Sequence, residues 1–161
     1  MRSDFIKKLV LSGVMMALVC ILTLVHFTVS AGGAYIHPGD SMIAVAGYVL
    51  GIWAVPVAAL GSALADLMVG GGIYVPATLI VKGLMGVAAA MLNQKRGRWG
   101  MTLGVLVLME AIMLAGYGIF EWVMFGAAAA LTGLLFNLIQ MLGSIFIAMG
   151  LLGVVKKIPN L

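Results

Sequence analysis

SMIAVAGYVLGIWAVPVAALGSALADLMV, residues 41–69, is an almost unbroken apolar stretch, and whether it crosses a membrane once or twice decides the fold. Read as one helix, it leaves three crossings between Arg2, Lys7 and Lys8 at the start of the chain and the next basic cluster, Lys95, Arg96 and Arg98. Those two clusters then fall on opposite membrane faces, against the tendency of Lys and Arg to stay on the cytoplasmic side. Split near residues 51–56, the stretch becomes two short helices joined by a turn, with Pro56 in the first turn of the second, where a missing N–H costs nothing. Four crossings then separate the clusters, and two more return the chain to Lys156 and Lys157 on the same side. The expectation is an all-α membrane protein of six transmembrane helices with both termini cytoplasmic. Its spans are about 9–29, 40–53, 56–69, 75–92, 99–120 and 135–155, the second and third short enough to need tilt or a thinned bilayer. Residues 122–134 form an outer connection or a helical extension.

Composition sets the class independently. The 161 residues are 64% hydrophobic and 9% charged, with a mean hydropathy of +1.23, which describes a chain solvated mostly by lipid. Residues 9–29 are long enough to cross about 30 Å of hydrocarbon and exceed the usual apolar core of about 7–15 residues in a secretory signal, so a span is expected there. A pI near 9.5 does not point to nucleic acid, because the positive charges flank the apolar stretches, where they anchor and orient helices. Cys20 is the only cysteine, which excludes an intrachain disulfide. The 22 glycines and many alanines let helix backbones approach closely, the main association device where lipid competes equally for apolar side chains. The longest polar stretch is residues 93–98, so the whole chain, 1–161, reads as a single transmembrane domain. No P-loop, H-E-x-x-H or G-x-S-x-G motif occurs, and neither a catalytic role, a metal nor a cofactor is expected.

An ionisable group inside hydrocarbon costs several kcal/mol by insertion scales, so each one is a functional hypothesis. At helical rise Lys82 lies roughly 20 Å and Glu110 roughly 18 Å from the basic ends of their helices, with Asn137 and Gln140 at roughly 28 and 24 Å. Asp66, Tyr117 and Glu121 come towards the opposite ends of theirs, and His37 and Asp40 stand at the start of the second span. The polar groups therefore gather from mid-membrane outwards, as a vestibule over an apolar floor. Asn137, Gln140 and Ser144 share one helix face, as do Glu110, Tyr117 and Glu121, while Thr78, Lys82 and Gly86 form another stripe. The alternative is structural: Lys82 paired with Asp66 or Glu110, Asn137 and Gln140 bridging helices, and Asp40 as an N-cap. His26 reads as a packed interfacial residue.

The segments YIHPGDSM (35–42), GSALADLM (61–68) and YVPATLIVKGLMG (74–86), with Glu110, the AGY at 115–117, Glu121 and NLIQ at 137–140, together resemble the substrate-binding S components of energy-coupling-factor (ECF) transporters, in the riboflavin-type vitamin-uptake branch. The likeness covers nearly the whole chain. It implies a multi-pass protein of a prokaryotic plasma membrane that captures a vitamin or related nutrient from outside. It implies docking on a transmembrane coupling protein with two cytoplasmic ATPases, and toppling of the S component to deliver the ligand. The family's small-xxx-small docking pair corresponds here to Gly13 and Ala17, and its site-covering loop to residues 30–39. Tyr74 and Tyr117 are the stacking candidates in the site. The fixed charges inside the bundle, four acids against one lysine, favour a neutral or cationic ligand over a polyanion. A pyridoxine-like molecule suits these groups, and riboflavin follows from the branch name. Two rival readings remain: a stand-alone proton-coupled carrier relaying through Asp66, Glu110 and Lys82, and an intramembrane enzyme using Glu110 with His37 or Asp66.

Overall fold

A computed structural model describes residues 2–25, 27–28, 35–94 and 98–158. His26, the first half of the expected covering loop (30–34) and the basic residues Lys95 and Arg96 lie outside the described residues. Six helices account for nearly all the rest: α1 (Arg2–Leu24), α2 (Gly39–Leu50), α3 (Ala54–Met68), α4 (Val75–Gln94), α5 (Trp99–Phe125) and α6 (Ala127–Val155). A two-residue antiparallel pair, β1 (Phe27–Thr28) and β2 (Tyr35–Ile36), joins α1 to α2, with Phe27 opposite Ile36. Helix 1 therefore ends at Leu24, short of the expected 29, because its last residues leave the helix to make this ladder. Among the described residues, five continuous helical stretches are long and apolar enough to cross a membrane, and one of them, Gly39–Met68, contains both α2 and α3.

Contacts to α4 show how that stretch is folded. Along α4, Thr78 meets Asp66, Gly83 faces Ala59 and Gly86 abuts Ala54, so α3 runs antiparallel to it. Lys82 meets Asp40, Gly47 abuts Ala89, and Asn93 donates to the Tyr48 carbonyl at 2.7 Å, so α2 runs parallel to it. Helices α2 and α3 are thus a hairpin laid on α4. The reversal comes at Gly51, whose φ of 61° and ψ of −129° only glycine adopts without strain, followed by a 3-10 turn over Gly51–Trp53. Pro56 sits in the first turn of α3, where no helical acceptor awaits an N–H. Helices α5 and α6 extend further than the expected spans and meet at Gly126, whose φ is 88°. The expected connection at 122–134 is therefore helical extension on both sides of a one-residue break.

The described basic residues outside the core gather at one end of the bundle. Phe5, beside Lys7 and Lys8, packs edge-on against Trp53 at the α2–α3 turn, with ring centroids 5.6 Å apart. Lys156 donates to the Thr102 hydroxyl at 3.0 Å and lies 3.9 Å from the Trp99 ring centroid, next to Arg98. Between this basic end and mid-bundle the core is apolar and closely packed: Ala46, Ala54, Ala89 and Leu152 are wholly buried, with Leu92 and Leu106 nearly so. A Cβ on Gly47 would collide with the backbone of Ala89, and one on Gly86 with Ala54 and Val55. Such close backbone approach is how helices gain contact area when lipid offers side chains no less favourable surroundings.

Candidate functional site

The opposite, distal end of the bundle holds a cavity of about 690 Å³, within the range of about 300–1,000 Å³ usual for small-molecule sites. All six helices or their adjoining turns reach it, from Thr23 at the end of α1 to Gln140 in α6. Met113 lines its inner side, and the wholly buried Met85 and Met109 belong to the apolar core beneath.

Two polar networks build the walls. In the first, Lys82 on α4 forms a buried ion pair with Asp40 on α2. The other Asp40 oxygen, Oδ2, accepts from the Gln140 amide at 3.0 Å. That same amide nitrogen lies 2.8 Å from His37 Nε2, and the His37 backbone N–H donates to Gln140 Oε1 at 3.2 Å. Ser41 adds a bond of 3.0 Å to the Ser144 carbonyl, so the first turn of α2 is tied to one face of α6 at two successive turns. Both charges of the ion pair are almost fully buried, at 3% and 1% exposure, and the extra bond from Gln140 helps to offset the cost of removing the carboxylate from water.

The second network runs from α3 through α4 to α5. The Thr78 hydroxyl bonds to Asp66 Oδ2 and lies 2.9 Å from the Tyr117 hydroxyl. A carboxylate only accepts, so Thr78 donates its single proton to Asp66 and receives one from Tyr117. One turn beyond Tyr117, Glu121 lies against Gly133 of α6, where any Cβ would overlap its carboxylate. Tyr74 heads an aromatic cluster, its ring centroid 5.1 Å from Phe120, 6.0 Å from Phe125 and 6.5 Å from Tyr117.

Eight of the ten candidate binding residues line the cavity: His37, Asp66, Tyr74 and Lys82 from the first four helices and their turns, and Tyr117, Glu121, Asn137 and Gln140 from the last two. Asp40 and Glu110 stand behind the wall. Asp40 lies within the first turn of α2 and makes no capping bond, so it is the counter-ion of Lys82 and not an N-cap. The alternative pairing of Lys82 with Asp66 or Glu110 is not formed; Asp40, set one helix further in, takes it. Glu110 is 3% exposed and its Oε2 has no hydrogen-bond partner among the described residues. Gly13 and Ala17 lie together on an exposed face of α1, away from the cavity.

A family model described as "ECF-type riboflavin transporter, S component" matches residues 4–157, almost the entire chain. The chain belongs to this family. It is a substrate-binding subunit of a transporter, and not an enzyme. A relative of this S component from Pyrococcus woesei, described as an uncharacterized protein in gap 3'region, is 30% identical over 135 residues, covering 83% of this chain and 90% of that protein. No solved structure matches.

Several wall residues of the S component escape a reading based on charge. Ser62, Thr23, Phe125 and Phe136 all line the cavity. Ser62 is one helical turn before Asp66, and Phe136 adjoins Asn137, so the period of α3 and the neighbourhood of the α6 polar stripe hold the signal for both. Thr23 and Phe125 lie at helix ends whose positions depend on chain reversals, and nothing local marks them.

Proposed function

We propose that this S component captures a small vitamin-like nutrient in the distal cavity and hands it inward after docking on an ATP-driven coupling module. The observation that carries the reading is the cavity itself: ligand-sized, walled by polar and aromatic side chains, floored by methionines, and at the opposite end from the basic clusters. With those clusters cytoplasmic, as the positive-inside bias requires, the α2–α3 hairpin counts as two crossings, both termini are cytoplasmic and the cavity faces outward. The single domain then crosses a prokaryotic plasma membrane six times. His37, Asp66, Tyr74, Lys82, Tyr117, Glu121, Asn137 and Gln140 contact or frame the ligand, while Asp40 and Glu110 support the wall from behind. The partners are a transmembrane coupling protein and two cytoplasmic ATPases, met through the exposed Gly13–Ala17 face. The family description directs the first binding trials to riboflavin, and pyridoxine-like molecules fit the same hydrogen-bonding walls.

The test is uptake of labelled vitamins by cells expressing the chain with and without a coupling module. Uptake that requires intact ATPases, and survives collapse of the proton gradient while ATP is maintained, is the expected result. Uptake that needs no ATPase and stops with the proton gradient would make the chain a stand-alone carrier.

A further inference from the structure

Within the capture function proposed above, on which this inference rests, the charge balance of the cavity defines the ligand more narrowly. Lys82 is neutralised by Asp40. Asp66 and Glu121 also face the cavity, and neither forms an ion pair with a described residue. Asp66 has the Thr78 hydroxyl, whereas the buried Oε2 of Glu121 has no hydrogen-bond partner among the described residues. No further Lys or Arg is at hand to balance them: the others belong to the basic clusters, and residues 26–34, HFTVSAGGA, include none. Besides the histidines His26 and His37, the latter on the cavity wall, the positive charge that would balance them arrives with the ligand.

Independent observations point the same way. Ser62 and Thr23 also line the cavity; they are 2% and 8% exposed, and their hydroxyl oxygens lack hydrogen-bond partners among the described residues. Buried polar atoms are ordinarily satisfied, so orphaned ones on a cavity wall mark positions that a ligand completes. Ser62 is one turn from Asp66 on α3, placing an orphaned hydroxyl and a carboxylate on one face. No group of three or more metal-ligating side chains occurs among the described residues. The aromatic rings of Tyr74, Tyr117, Phe125 and Phe136 supply wall faces that attract an organic cation and stack on a flat ring.

We infer that the ligand is a small heteroaromatic cation whose positively charged nitrogen lies between Asp66 and Glu121 and whose ring rests among the aromatic side chains. The test is isothermal titration of the full chain in detergent with two matched probes, pyridoxamine (amine-bearing) and pyridoxine (its neutral hydroxyl counterpart), together with thiamine (a fixed cation) and riboflavin (neutral). The expected result is that pyridoxamine binds at least about tenfold more tightly than pyridoxine, or thiamine than riboflavin. Glu121→Gln should erase that advantage while the protein keeps its melting temperature, and Asp66→Asn should do the same where it folds. Binding of a neutral probe in preference to both cations, or a cation preference that survives Glu121→Gln, overturns the inference and leaves the capture function standing. If no probe binds at about 1 mM, the inference and the capture function both fail.

Discussion

The two ends of α2 and α4 solve the same packing problem by opposite means. At the basic end the helices touch through absence: Gly47 lies on the Ala89 backbone, with Ala46 wholly buried nearby. At the distal end the same two helices are joined by full-length side chains, Asp40 and Lys82. Small residues bring backbones together and leave no space, whereas a long side chain holds helices apart and still connects them. A membrane bundle that must enclose a solute needs both, since close packing along the whole length would abolish the cavity and charge pairs along the whole length would be costly to bury.

The sharpest way to break this contrast is to remove one charge. Lys82→Met leaves the Asp40 carboxyl at 1% exposure without its partner, and loss of one member of a buried pair typically costs about 3–5 kcal/mol. A large fall in melting temperature is expected in detergent. The double variant Asp40→Asn with Lys82→Met should recover much of it, because no lone charge then remains buried. If Lys82→Met melts like the parent protein, the distal ends are held by something other than this pair.

The reverse experiment adds bulk at the basic end. Gly47→Val drives side-chain carbons into Ala89, and overpacking of this kind typically costs about 1–3 kcal/mol. Ligand affinity of the protein that remains folded should be unchanged, since Gly47 lies well below the cavity. A loss of affinity that exceeds the loss of stability would mean that the two halves are coupled, and that helix spacing at one end sets cavity shape at the other.

The apolar half is the part whose architecture was legible in the sequence, and the polar half is where legibility ends. Charge parity among the basic clusters, with Gly51 and Pro56, located the hairpin, because lipid solvation, turn geometry and charge bias are each properties of short stretches. The gathering of polar residues at one end was legible from helical rise alone. Which of them pair was not: Asp66, Glu110 and Asp40 are all plausible partners for Lys82 by depth, and the choice depends on lateral packing of α2 against α4. The orphaned hydroxyls of Thr23 and Ser62 were invisible for a related reason, since a serine or threonine in an apolar helix ordinarily bonds its own backbone, and only the cavity makes its free oxygen informative.

A finer test separates wall from framework inside the distal half. Asn137 lines the cavity and is partly exposed, so Asn137→Ala should leave the melting temperature nearly unchanged while weakening the captured ligand about tenfold, the value of roughly one good polar contact. Equal affinity in the variant would move the ligand towards Asp66 and Tyr74 and make the α6 stripe a helix-bridging device.

The smallest expected effect on both halves comes from Gly13→Leu, and it is informative for that reason. Gly13 is exposed on α1, and a Cβ there meets nothing within 4 Å. Replacing glycine inside a helix removes its conformational penalty of up to about 1 kcal/mol, so the variant should be as stable as the parent or slightly more so. The substitution is also roughly 15 Å along α1 from Thr23 at the cavity, too far to alter affinity through contact. Bulk at this point should nevertheless abolish uptake in cells carrying the coupling module, if a partner helix approaches through the Gly13–Ala17 face. Normal folding, normal binding and absent uptake would establish that capture and delivery occupy separate surfaces. Persistent uptake would move docking elsewhere, and the face of α5 bearing Gly100 and Gly104, where a Cβ also meets nothing, is the next to block.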